Sequence, residues 1–325
     1  MKAAVYERYG PPDVVQIREV EKPVPKDDEV LVKIHATTVT AGDFRARSLE
    51  MPAGFGFMGR MFFGFSKPRQ PILGTELAGE IESVGKDVRK FEPGDQVFAF
   101  PGAGMGCHAE YRCLRETRPL ARKPANLSYD EAASLSFGGT TALDFLRRAR
   151  LSSGESVLVN GASGGVGTAV VQLARHFGAH VTGVCSTANV ELVRSLGAAR
   201  VIDYTKQDFT EGGETYDVIV DTAGTAPFSR SRRSLSQNGR LLLVLCGLGE
   251  LLAAPWVSLT SKRRVIAGPA GERAEDLELL AKLAETGEFK AVIDRRYPLE
   301  AIAEAHRYVD TGRKRGSVVV TVAAH

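Results

Sequence analysis

Between Val157 and Gly167 the chain reads VLVNGASGGVG, an apolar strand pattern running into glycines at 164, 165 and 167. Glycines at such a turn let the backbone approach a pyrophosphate closely, and the N–H groups opening the next helix hold its negative charge. That helix is present in GTAVVQLARHFG, and a second strand follows at Val181–Val184. A glycine-rich turn alone is a weak signal. Strand, turn, helix and strand in this order make a dinucleotide-binding fingerprint. Its first position is Ala162, where the strict pattern has glycine.

The end of the second strand speaks to the cofactor's charge. An NAD site carries an acid about 20 residues after the glycines, gripping the ribose 2′-hydroxyl. Nineteen residues beyond Gly167 stands Ser186, flanked by Cys185 and Thr187. No acid there repels a 2′-phosphate and two hydroxyls can donate to one, so the expected cofactor is NADPH. The same hydroxyls can also cap the following helix.

Other chemistry is sparser. The four cysteines, Cys107, Cys113, Cys185 and Cys246, have neither C-x-x-C nor metal-ligand spacing, which fits a reduced, cytoplasmic setting. Cys107 and His108 are adjacent, and neighbours along a strand point to opposite faces, so they do not form a reactive pair. A formal charge of +3, from 42 basic and 39 acidic residues, is too balanced for a nucleic-acid binder. No apolar run approaches the roughly 20 residues of a membrane span, and MKAAVYERYG lacks the features of a signal peptide.

The elements that must position the cradle fall into two kinds. Up to about Lys123 the chain is rich in strands and turns: Val30–Val39, Glu76–Gly85 and Gly94–Phe100 carry β-branched or alternating patterns, punctuated by Pro and Gly. From Pro124 helix and strand patterns alternate, beginning with Ser128 as an N-cap. The strands there are nearly continuous Val, Ile and Leu, as a parallel sheet covered on both faces requires. Two helical stretches, AEDLELLAKLAETG and LEAIAEAHRYVDTG, precede a closing strand GSVVVTV whose natural host is the N-terminal sheet. The expected division is residues 1–124, a cofactor domain 125–268, and a return to the first domain over 269–325.

With these residues placed, the whole chain resembles the medium-chain dehydrogenase/reductase superfamily, in its zinc-lacking quinone oxidoreductase branch. The resemblance rests on MKAAVYERYGPPDVVQIREV, ILGTELAGEIESVG, FEPGDQVFAF and NGASGGVGTAVVQLA, in the expected order. It implies a doubly wound Rossmann sheet set between two parts of a discontinuous GroES-like β-barrel, with the active site in the cleft between domains. It implies a homodimer through the edge of the Rossmann sheet, near Lys262–Gly268. By position, Ser163, Gly164, Gly165 and Val166 meet the pyrophosphate beside Gly167, while Ser186, Asn189 and Tyr204 surround the 2′-phosphate. Asn189 stands where relatives often have lysine. Arg315, in the run Arg313–Arg315, would return an arginine to that phosphate. Thr141, Leu245 and Gly247 would line the nicotinamide side.

Zinc members use a cysteine and a His-Glu pair where this chain has Thr40-Ala41-Gly42-Asp43 and Gly74-Thr75-Glu76. A catalytic zinc needs about three ligands from His, Cys, Asp and Glu, so zinc is not expected. Without a Lewis acid, acceptors that take hydride at carbon and spread the charge onto oxygen are the better substrates, namely quinones and α,β-unsaturated carbonyls. Thr40, Asp43 and Arg45 are the candidates for the catalytic side, with an N-cap as the alternative role of Asp43. The Phe- and Met-rich Gly54–Phe65 reads as a lid for a small hydrophobic acceptor, an exposed patch for a partner or membrane surface, or a loop packed on its own barrel. Metal-free carbonyl reduction, or NADPH binding without catalysis as a sensor or scaffold, are the competing functions.

Overall fold

Valine and isoleucine at positions 30, 32 and 34 share one face of a strand, and burying that face creates the first core. In the computed structural model, which describes residues 1–322, this strand runs over Glu29–Val39. It pairs antiparallel with Leu77–Val84, Tyr111–Arg115 and the C-terminal Ser317–Thr321. The sheet runs Ile293–Pro298, Ser317–Thr321, Glu29–Val39, Leu77–Val84, Gln96–Ala99 and Leu120–Arg122, with Tyr111–Arg115 added beside the long strand. Val30, Val32 and Ile34 pack with Leu77, Ile81 and Val97. Val39, of opposite parity, enters a second core with Tyr6, Leu73, Ile302 and Val318.

This sheet belongs to one of two units, made of residues 1–51, 56–137 and 272–325. Sequence character changes at Pro124, but the helix Tyr129–Ala133 stays with this unit and packs on Glu29–Val39 and Leu77–Val84. Its start is a capping box in which Ser128 and Glu131 bond each other's backbone N–H. The boundary therefore falls at Phe137/Gly138, inside the helix Ser136–Ala149.

The second unit, 52–55 with 138–271, holds a six-stranded sheet. Its order is Arg200–Asp203, His180–Cys185, Ser156–Asn160, Tyr216–Asp221, Leu235–Leu243, Arg264–Ala267, and every pairing is parallel. In chain order that is 3-2-1-4-5-6, the doubly wound arrangement whose direction reverses between Ser156–Asn160 and Tyr216–Asp221. Ligands of such sheets bind beyond the carboxyl ends of the strands at that reversal.

Two helices depart from the sequence reading. Gly56–Phe63 is helical, within the segment read as a loop, because its glycines lie at positions where the helix begins or touches a neighbour. Leu248–Thr260 is helical despite Pro255, a residue that removes an interior hydrogen bond and masks the pattern.

Candidate active site

The strand Ser156–Asn160 delivers the chain to Gly161, whose φ of +81° turns it back toward the helix Gly165–His176. Gly167 is required by contact: a Cβ there would lie 2.0 Å from the Gly161 carbonyl oxygen. Gly164 is the N-cap and has no side-chain cap, and a Cβ there would lie 3.5 Å from the Gly161 carbonyl oxygen, an ordinary contact. The amides of Gly165, Val166 and Gly167 thus begin a helix whose first-turn N–H groups lack intrahelical partners. This arrangement suits a pyrophosphate.

Ala162 is accommodated by the neighbouring strand. A Cβ on Gly183 would approach the Ala162 methyl to 3.1 Å and Val193 Cγ1 to 2.4 Å, so glycine at 183 makes the room the motif usually finds at its first position. The loop beyond the reversal point is held by Asn160 and Asp221. Asn160 Nδ2 donates to Asp221 Oδ1 at 2.9 Å and to Thr225 Oγ1 at 2.8 Å. Asp221 also accepts from the amides of Ala223, Gly224 and Ala226. The sequence reading missed this pair; its signal was a polar residue ending each of two otherwise apolar strands.

Two of the residues expected around the 2′-phosphate, Ser186 and Asn189, meet each other and Ser163, which was expected on the pyrophosphate. Asn189 Nδ2 donates to Ser163 Oγ at 3.1 Å and to Ser186 Oγ at 3.2 Å. The Tyr204 amide bonds the Cys185 carbonyl, and the residue is 62% exposed. Thr187 is committed elsewhere, donating to Asp203 at 2.5 Å. Hydrogen bonds from Thr187 and Thr205, with Lys206 nearby, hold the Asp203 carboxyl down at about 2. An acid therefore does stand near the strand end, on the adjacent strand, with Lys206 3.7 Å from it.

Of the residues expected to line the nicotinamide, Thr141 is buried on the helix Ser136–Ala149, and Leu245 lies against Gly224. Gly247 N-caps Leu248–Thr260 and donates its amide to Glu250 at 2.9 Å. Arg315 belongs to the other unit, where its amide and guanidinium both bond Asp294.

In the first unit the sheet strand ends at Thr40, which caps the helix Ala41–Ser48. Asp43 is wholly buried. It accepts from the Thr40 amide at 2.8 Å, the Thr40 hydroxyl at 2.6 Å and the Gly74 amide at 2.8 Å. This is a capping box reinforced by the Gly74 loop, so Asp43 acts by positioning Thr40. The Thr40 and Thr75 hydroxyls lie 3.3 Å apart. Arg45 is half-buried without an ion-pair partner among the described residues, and burial lowers its pKa. Arg47, two residues on, is fully buried and clamps Asp310 with the Gly10 carbonyl.

Glu76 is the group that reading the sequence for metal ligands undervalued. It is buried, accepts from the Thr38 hydroxyl and from the Phe137 amide, and burial pushes its carboxyl up to about 7. His108 bonds the Thr38 carbonyl at 2.9 Å. Cys107 is inert: burial raises its thiol far above the usual range. For zinc these residues do not fit. Thr40 and Thr75 offer neutral hydroxyls, Asp43 and Glu76 are spent on backbone and hydroxyl donors, and the described residues contain no cluster of three metal-binding side chains.

The comparisons agree with this architecture. Residues 26–125 match the alcohol dehydrogenase GroES-like domain, and 196–320 the family described as zinc-binding dehydrogenase. The 2-methylene-furan-3-one reductase of Solanum lycopersicum is 35% identical, over 98% of this chain and 79% of its own length. The chain belongs to the medium-chain dehydrogenase/reductase superfamily, in its quinone oxidoreductase-like branch. Within that superfamily, the NADPH-dependent alkenal/one oxidoreductase of Arabidopsis thaliana chloroplasts is 32% identical over the same shares. The quinone oxidoreductase structure from Coxiella burnetii superposes with a TM-score of 0.87 at 28% identity, covering 99% of both chains. The family implies a nicotinamide cofactor.

Proposed function

We propose that this chain is an NADPH-dependent reductase of quinones and α,β-unsaturated carbonyl compounds that works without zinc, as a homodimer. The relatives' named activities support the substrate class. The single observation that carries the metal-free reading is the Thr40–Thr75 pair, two hydroxyls where zinc relatives need cysteine and histidine. A bound nicotinamide supplies the hydride. Gly164, Gly165, Val166 and Gly167 hold the pyrophosphate through backbone amides, and Ser163, Ser186, Asn189 and Lys206 hold the 2′-phosphate.

Reduction at carbon leaves negative charge on the acceptor's oxygen, and a desolvated donor or cation stabilises it most. Arg45 is proposed for that role because it is half-buried and has no ion-pair partner among the described residues, with Thr40 as the neighbouring donor and Asp43 fixing Thr40. The completing proton comes from solvent. The test is steady-state NADPH oxidation against quinones and enones, with NADH and a chelator as controls. Turnover that prefers NADPH and ignores the chelator supports the reading, and binding without turnover overturns it. Arg45→Met should lower kcat while leaving NADPH affinity intact.

A further inference from the structure

We propose that the helix Gly56–Phe63 and the turn following it, through Arg69, form a docking surface for a membrane that bears anionic lipid. Phe57, Met58, Met61, Phe62 and Phe65 are between 48% and 68% exposed, an unusual concentration of large apolar side chains for a surface. The opposite side of the helix is anchored. Phe63 packs on the core around Tyr6 and Leu73, and Gly59 sits so close to Met51 that a Cβ would lie 2.6 Å from its Cγ. The Tyr9 hydroxyl donates to the Gly64 carbonyl at 2.8 Å, the Arg60 guanidinium to Phe65 at 2.8 Å, and the Arg69 amide to Phe63 at 2.8 Å. The apolar residues are thus held outward by the protein's own bonding.

Charge selects the occupant. From Met51 to Thr75 there is no Asp or Glu, while Arg60, Lys67 and Arg69 are all exposed. A second copy of this chain meeting the patch about a two-fold axis would set these cations against themselves. Anionic headgroups complement them, and the Phe and Met side chains enter the acyl boundary as on an interfacial helix. No helix among the described residues is long and apolar enough to cross a bilayer, so the contact is peripheral.

The test is sedimentation of the full chain with vesicles of phosphatidylcholine alone or with roughly one third phosphatidylglycerol, at low and high salt. We expect binding to the anionic vesicles, reversed by salt. Lys67→Gln/Arg69→Gln should weaken it roughly thirtyfold, and Phe57→Ser/Phe62→Ser should abolish it, while both variants keep the wild-type melting temperature. Absence of wild-type binding to anionic vesicles overturns the proposal. So does partition that Phe57→Ser/Phe62→Ser leaves unchanged, as a rise in KM for a water-soluble acceptor would then mark the segment as a lid. Loss of a dimer on the same substitution, without change in partition, would instead show a second copy there. Vesicle binding is read without turnover, so its failure is separate from failure of the proposed reductase activity.

Discussion

Gly167 and Ser186 illustrate how differently two single residues act on one cofactor. Gly167→Ala places a methyl 2.0 Å from the Gly161 carbonyl oxygen, so turn and helix must part. The expected outcome is loss of NADPH binding by at least about tenfold, ~1.4 kcal/mol, checked by fluorescence titration. Ser186→Asp leaves the backbone alone and adds charge where a 2′-phosphate is proposed to sit. It should lower the NADPH-over-NADH ratio of kcat/KM by roughly tenfold or more, and an unchanged ratio would remove Ser186 from that site. At this scale the sequence was most informative where backbone geometry dictates residue type, as at Gly164–Gly167. It was least informative where a side chain has a choice of partner. Spacing alone does not tell that Thr187 turns to Asp203, or that Arg315 turns to Asp294.

At the level of elements, caps and buried charges decide what each strand end presents. The sequence suggests Asp43 as an N-cap or a structural hydrogen bond; in the structure Thr40 is the N-cap, and Asp43, three residues on, closes the box by accepting from the Thr40 amide. The helix Gly56–Phe63 was not foreseen, because glycines near both ends hide a short helix in composition typical of loops. Glu76 and His306 give the first unit opposing responses to pH. Burial raises the Glu76 carboxyl from 4.5 to about 7, so its contribution to stability is complete below 4.5 and is lost as pH rises through 7. Burial, with His108 and Arg47 nearby, depresses His306 well below 6.5, so its contribution is present above 6.5 and fades as pH falls. Glu76→Gln should therefore remove a downward slope of at most about 1.4 kcal/mol per pH unit between 4.5 and 7, read by urea denaturation across that range. His306→Leu should protect the protein below pH 6.5, seen as an acid-unfolding midpoint moved to lower pH. A midpoint that does not move would show that His306 is not what limits acid stability.

Across the whole molecule, the proposed dimer can be followed with a built-in probe. Trp256 is the chain's one tryptophan and is 70% exposed, on the same helix face as Leu252 and Leu259. That helix packs on Arg264–Ala267, the strand at the edge of the parallel sheet. If the dimer forms there, dilution to monomer should shift Trp256 emission to the red, in step with the mass measured by sedimentation equilibrium. Emission that stays constant while the mass halves would place the interface elsewhere. The pairing of Ser317–Thr321 with Glu29–Val39 has a consequence for the protein's birth. All six parallel strands of the second unit lie between residues 156 and 267, so that sheet can be assembled while the ribosome is still adding the tail. The first unit's long strand is made before that sheet but waits for a partner made after it. Until then Ala36–Val39 of the long strand lacks this partner in a chain still under synthesis, the condition under which strands are most exposed to mispairing and to chaperones.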